Sequence, residues 1–219
     1  MDETTFHSEV RHVGNLDFPS FAGTRIMMMP VVLGNAESIP DPLSQWRDAY
    51  IKLCALAPFK TGVAYLTIDE QTVPAGRSHR RPGIHVDGIG PDGRSAAYGG
   101  GGGYAAPTGM LLASTHIGCR AWLQTFKGWP RPNGDCSHLA NQCSWMSEIL
   151  MQPGWVYWCG PMTVHEGISM KHDTRRQLVR LSGPSDAPWH EGYTKNPLGI
   201  MPTGPIHGAR PASFMRGES

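Results

Sequence analysis

The chain has 219 residues, 19 basic and 18 acidic, with a net charge of +1, a balance that argues against a nucleic-acid binder built on a general positive field. Forty per cent of the residues are apolar, so wholesale disorder is excluded, and 27 glycines with 19 prolines leave little room for a helical bundle or coiled coil. Short strands joined by many turns are the expectation.

Near the start, Thr24 to Leu33 reads as a strand interrupted by Pro30. After Pro40-Asp41-Pro42, apolar residues at Leu43, Trp46, Tyr50, Leu53 and Ala57 step by three and four, which predicts one amphipathic helix closed by Pro58. Thr61 to Val73 reads as a strand, and Gly83 to Gly88 as a short one. Gly99 to Gly103 are five consecutive glycines without the strand–helix frame of a phosphate loop. The segment Tyr98 to Tyr104 is read as a lid or a plain connection. Gly109 to Thr115 and Cys119 to Phe126 predict a hairpin turning near Ile117-Gly118. Ile149 to Met151 and Trp155 to Cys159 flank the turn signal Gln152-Pro153-Gly154, and Arg175 to Ser182 alternates as a strand should. The Gly/Pro-rich tail 183–219 lacks periodicity and is expected to wrap the surface or fray. No domain boundary is visible, so residues 1–219 are read as one mainly β domain with flanking helices, a sandwich or jelly roll.

No run is long enough to span a membrane, and the polar stretch Met1 to Thr5 lacks the apolar core of a signal peptide. Five cysteines without a CxxC motif fit reduced thiols, and the expected location is cytoplasmic.

His85 and Asp87 lie two apart, so on a strand both side chains face one way and can reach one metal ion. His165, after the strand Trp155 to Cys159, is the best third ligand. Two histidines and one carboxylate leave open positions on the metal, an arrangement suited to non-haem Fe(II) with substrate and O2. Eleven residues beyond His165 stands Arg176, which shares strand parity with Arg180 and Ser182. A dicarboxylate entering an apolar barrel needs a cation for its far end, and a guanidinium offers a two-pronged donor.

The order His85-Val86-Asp87, then His165, then Arg176 or Arg180, over roughly Thr61 to Ser182, resembles the 2-oxoglutarate-dependent Fe(II) oxygenases. The resemblance implies a double-stranded β-helix (jelly roll) with His85, Asp87 and His165 on Fe(II). It implies 2-oxoglutarate as cosubstrate, anchored by Arg176 or by Arg180 with Ser182. Intact Asp87 implies hydroxylation, desaturation or ring formation rather than halogenation, and the compact chain favours a small-molecule substrate. The competing reading is a cupin-like jelly roll that binds a metal or ligand without turnover. Two lesser readings are a zinc site at Cys136, His138 and Cys143, and a solvated basic patch at Arg77, His79, Arg80 and Arg81 that could attract an anion. The sequence does not set the oligomeric state.

Overall fold

The computed structural model describes residues 4–87 and 109–208. The Tyr98 to Tyr104 segment, with its five glycines, lies outside these residues. In chain order the described elements are β1 (Thr5–Ser8), β2 (Val10–Asn15), β3 (Arg25–Val32), α1 (Arg47–Leu56), β4 (Val63–Val73), β5 (Met110–Ser114), β6 (Cys119–Trp122) and β7 (Gln124–Lys127). There follow β8 (Glu148–Leu150), β9 (Trp155–Cys159), β10 (His165–Gly167), β11 (Thr174–Ser182), β12 (Trp189–His190) and β13 (Ile206–His207). The protein is mainly β, with antiparallel principal sheets and few helices. Among the described residues no helix is long and apolar enough to cross a membrane.

Six strands form one sheet in the order β2-β9-β5-β11-β4-β3, and three form a second in the order β10-β6-β8. Alternation along β11 fixes what each face does. Val179 and Leu181 enter a cluster with Leu66, Ile68, Leu111 and Ala113, on which α1 lays Tyr50, Leu53 and Ala49. Leu178 points the other way, into a cluster with Met110, Leu112, Tyr157 and Cys159 that also takes Cys119 and Ala121 from β6. The order of layers is therefore helix, large sheet, small sheet. Arg176, Arg180 and Ser182 share Leu178's parity and belong to the face between the sheets.

Three local expectations are corrected. The predicted helix is split: Asp41–Trp46 is a 3-10 helix, with Pro42 in its first turn, and only Arg47–Leu56 is α-helical. The segments Gly109 to Thr115 and Cys119 to Phe126 do not pair as a hairpin, because β5 pairs with β9 and β11 while β6 pairs with β8 and β10. The turn at Ile117-Gly118 instead carries the chain from the large sheet to the small one. Likewise β8 and β9, on either side of Gln152-Pro153-Gly154, lie in different sheets. Pro30 does not break β3, which is an edge strand with no ladder bond to lose on its outer side. The interruption falls instead at Met28, in the left-handed region at φ 52°, where the register shifts.

The described part of the tail does wrap the surface. Trp189 and Tyr193 pack on Met28 and Tyr65, Trp189 Nε1 donates to Met28 O at 2.9 Å, and Asn196 Nδ2 donates to the carbonyls of Pro30 and Ser38.

Candidate metal centre and anion pocket

His85 lies in a short extended segment held on both sides. It bridges His165 at the edge of the small sheet, each backbone N–H donating to the other's carbonyl at 2.9 Å, and it bridges Asp135 on the other side. Val86 is buried with Trp122, Phe126, Cys136 and Val164, which anchors the segment between its two polar side chains. Gly134 makes that packing possible: it and Asn133 both turn at positive φ, and a Cβ on Gly134 would stand 2.0 Å from Val86 O.

The three expected ligands come together. Donor atoms of His85, Asp87 and His165 all lie within 4.8 Å of one another, and they are the one such group of metal-ligating side chains among the described residues. His85 Nε2 is 3.9 Å from Asp87 Oδ1 and His165 Nε2 is 4.0 Å from Asp87 Oδ2. His85 Nδ1 lies 2.7 Å from Gly83 O, and His165 Nδ1 lies 2.9 Å from Thr163 O. A carbonyl only accepts, so each Nδ1 carries the hydrogen and each Nε2 is turned to the shared space. Backbone contacts of this kind orient metal-binding imidazoles. Burial, then the neighbouring His165, pushes His85 down to about 3, so it holds its Nε2 lone pair at neutral pH. Burial works to raise the Asp87 carboxyl, but His165, Arg180 and His85 outweigh it and keep it ionised.

The two arginines have different surroundings. Arg180 Nη1 lies 3.2 Å from Asp87 Oδ2, and its Nη2 lies 3.1 Å from the sulfur of the bulged Met28. Arg180 is thus committed to the Asp87 carboxylate. Arg176 is 1% exposed, and its Nη2 donates to Ser114 Oγ at 3.1 Å. Its Nε and Nη1 have no hydrogen-bond partner among the described residues. Burial pushes this guanidinium down to about 10, so it is still a cation at neutral pH. It borders a small, partly open cavity with Leu112, Ser114, Cys119, Met151 and Tyr157, lined also by the exposed Trp155. Ser182 is buried six residues further along the same strand, about 20 Å from Arg176 at ordinary strand rise, too far to share a small ligand with it.

β6 measures the separation between cation and triad. Gly118 packs on the Arg176 guanidinium, so closely that a Cβ there would stand 2.6 Å from Arg176 Cζ. Ala121 is the register partner of His165. Three residues of strand span roughly 10 Å, within reach of a short dicarboxylate held by side chains from both ends.

The proposed zinc ligands are not brought together: Cys136 is buried in the apolar cluster, and His138 Nε2 faces Trp129 O at 3.1 Å. All five cysteines are free, and burial raises Cys136 to about 12 and Cys143 to about 11. The basic run is solvated only in part: Arg77 and Arg81 are exposed, while His79 and Arg80 turn inward. His79 is buried, and Arg80 Nη1 lies 3.2 Å from the buried carboxylate of Asp69, a residue sequence reading did not single out. Its signal was available only as a charged residue amid the apolar Val63–Val73 run. Comparison with protein-family models, with curated proteins and with solved structures returned no match.

Proposed function

We propose that the protein is a non-haem Fe(II)- and 2-oxoglutarate-dependent oxygenase acting on a small molecule, with the strands arranged as a jelly roll. The observation that carries this reading is Arg176: a buried cation whose Nε and Nη1 have no hydrogen-bond partner among the described residues, one short strand away from a His-Asp-His set. A buried, half-paired guanidinium is costly, and a carboxylate ligand is the group that satisfies it. The jelly-roll reading rests on the chain's alternation between sheets. β4, β5, β9 and β11 lie in the large one, while the His85 segment, β6, β8 and β10 lie in or against the small one.

The donor set fits a divalent metal, since two imidazole nitrogens and a carboxylate converge with backbone contacts behind both rings. With Fe(II) held there, the metal and 2-oxoglutarate supply oxidation of a C–H bond by O2, with succinate and CO2 released. The chain's own part is to bind and orient. His85, Asp87 and His165 hold the metal, Arg176 with Ser114 holds the distal carboxylate, and Leu112, Met151 and Tyr157 keep water from the space beside it. Arg180 balances the Asp87 charge rather than anchoring the cosubstrate.

Purified protein supplied with Fe(II), 2-oxoglutarate and a panel of amino acids and small carboxylates should release succinate, faster with one compound class than without. Metal binding without any succinate release or 2-oxoglutarate binding would favour the cupin-like, non-catalytic reading.

A further inference from the structure

Behind Arg176 lies a second buried group that the metal chemistry leaves unused. The His79 side chain is fully buried, six residues before His85. Its Nε2 is 3.3 Å from Asp69 Oδ2, an ion-pair distance outside hydrogen-bond geometry, and neither Nδ1 nor Nε2 has a hydrogen-bond partner among the described residues. An imidazole that served only to fill space would be replaced at lower cost by an apolar side chain, since an unpaired buried polar nitrogen is unfavourable.

The fold places His79 in the neighbourhood of Arg176, through Asp69. Gln71 is the register partner of Arg176 across β4 and β11, and Asp69 is two residues from Gln71 on the same face, hence diagonal to Arg176. The turn that carries His79 is tied to the loop before β11: Gly76 N donates to Met170 O at 2.8 Å and Met170 N to Arg77 O at 2.9 Å. Met170 Cε and Arg176 Cζ in turn crowd the same point over Gly118. The Arg176 charge reaches His79 and, with burial as the larger cause, lowers its basicity.

The groups facing His79 are Asp69 from β4, Arg176 from β11 and Arg80 from its own turn, with Arg25 from β3 on the far side of Asp69 at 3.1 Å. One carboxylate thus stands among three guanidinium groups and an imidazole, a local excess of positive charge that an incoming anion would balance. We propose that His79 is the second cationic donor of the anion pocket, its Nδ1–H joining Arg176 on the distal carboxylate of the dicarboxylate while Asp69 backs its Nε2. The assignment rests on the carboxylate-pocket reading of Arg176.

It follows that binding takes up a proton. Ligand-free His79 is neutral near physiological pH and ligand-bound His79 is charged, so affinity is highest at low pH. Between the free and bound pKa values of His79, affinity falls by about tenfold for each unit of rising pH.

The test is calorimetric titration of 2-oxoglutarate into the anaerobic, Mn(II)-loaded full-length protein, in two buffers of different protonation enthalpy and at several pH values. The expected result is uptake of about one proton in that window, from the linkage relation. In His79→Gln the uptake should vanish and the pH profile flatten. Affinity at the acidic end should drop roughly tenfold, as for loss of a charged hydrogen bond, with Mn(II) affinity and circular dichroism unchanged. Arg176→Ala should weaken 2-oxoglutarate binding further than His79→Gln does, by up to about a hundredfold. Binding by the unsubstituted protein with no proton uptake overturns the role of His79 and leaves the Arg176 pocket standing, and this arm needs no variant to fold. Failure of the unsubstituted protein to bind 2-oxoglutarate overturns the pocket reading and the role of His79 with it.

Discussion

Arg176 and Asp69 are both buried charges, and their surroundings give them opposite energetic signs. Among the described residues Arg176 has one hydrogen bond and two unpaired nitrogens, so in the ligand-free protein it opposes folding. Arg176→Met should therefore stabilise the ligand-free protein by about 1–3 kcal/mol while weakening 2-oxoglutarate binding, a trade of function for stability that thermal and chemical denaturation will read. Asp69 is the reverse case. Burial works to raise its carboxyl, but His79, Arg80 and Arg25 together hold it well below the usual carboxylate range. Its native pKa lies below the unfolded value, so its contribution is full above the ordinary carboxylate range. That contribution is lost as pH falls through the range towards the depressed native value. Asp69→Asn should cost about 1–3 kcal/mol at neutral pH, as removal of charged hydrogen bonds does, and should flatten the acid limb of the stability curve. An unchanged acid limb would show that another carboxylate governs it.

At the scale of elements, two glycines at points of close approach set the geometry of the site. A Cβ at Gly118 would meet the Arg176 guanidinium and Met170, and one at Gly134 would meet the backbone of Val86 between the two metal ligands. Gly118→Ala should weaken 2-oxoglutarate binding by roughly tenfold or more, as for a displaced charged pair, and leave metal affinity intact. Gly134→Ala should do the opposite and lower metal affinity first. Parallel titrations of Mn(II) and 2-oxoglutarate separate the two outcomes, and equal loss of both ligands in both variants would contradict the separation. The strands themselves were legible from alternation: β4, β5 and β9 fall inside the expected runs, β11 starts one residue before its own, and the shared parity of Arg176 and Arg180 followed from period two. Their partners were not legible. Two neighbouring strands with a turn between them read as a hairpin, and nothing local in Ile117-Gly118 or Gln152-Pro153-Gly154 says that the chain there crosses between sheets. Which arginine was paired was also hidden, because it depends on Asp87 reaching across from the other sheet to Arg180.

For the molecule as a whole, the candidate site lies where the two sheets meet, with the His85-Asp87-His165 group at the small sheet's edge and Arg176 on the large sheet. A ligand that bridges them should therefore stabilise the whole fold rather than one element. At a hundredfold excess over its dissociation constant, 2-oxoglutarate with Mn(II) should add about 2.7 kcal/mol, a rise in Tm of roughly 5–10 °C for a protein of this size. The rise should be largely lost in Arg176→Ala. The most direct test of the central claim is the visible spectrum of the Fe(II)-loaded protein titrated anaerobically with 2-oxoglutarate. A weak charge-transfer band should grow in the unsubstituted protein. It should be lost in Asp87→Ala, which cannot hold the metal, and require far more 2-oxoglutarate in Arg176→Ala, while Arg180→Ala still forms it. A protein that binds Fe(II) through these residues and shows no band at any 2-oxoglutarate concentration would contradict the oxygenase reading.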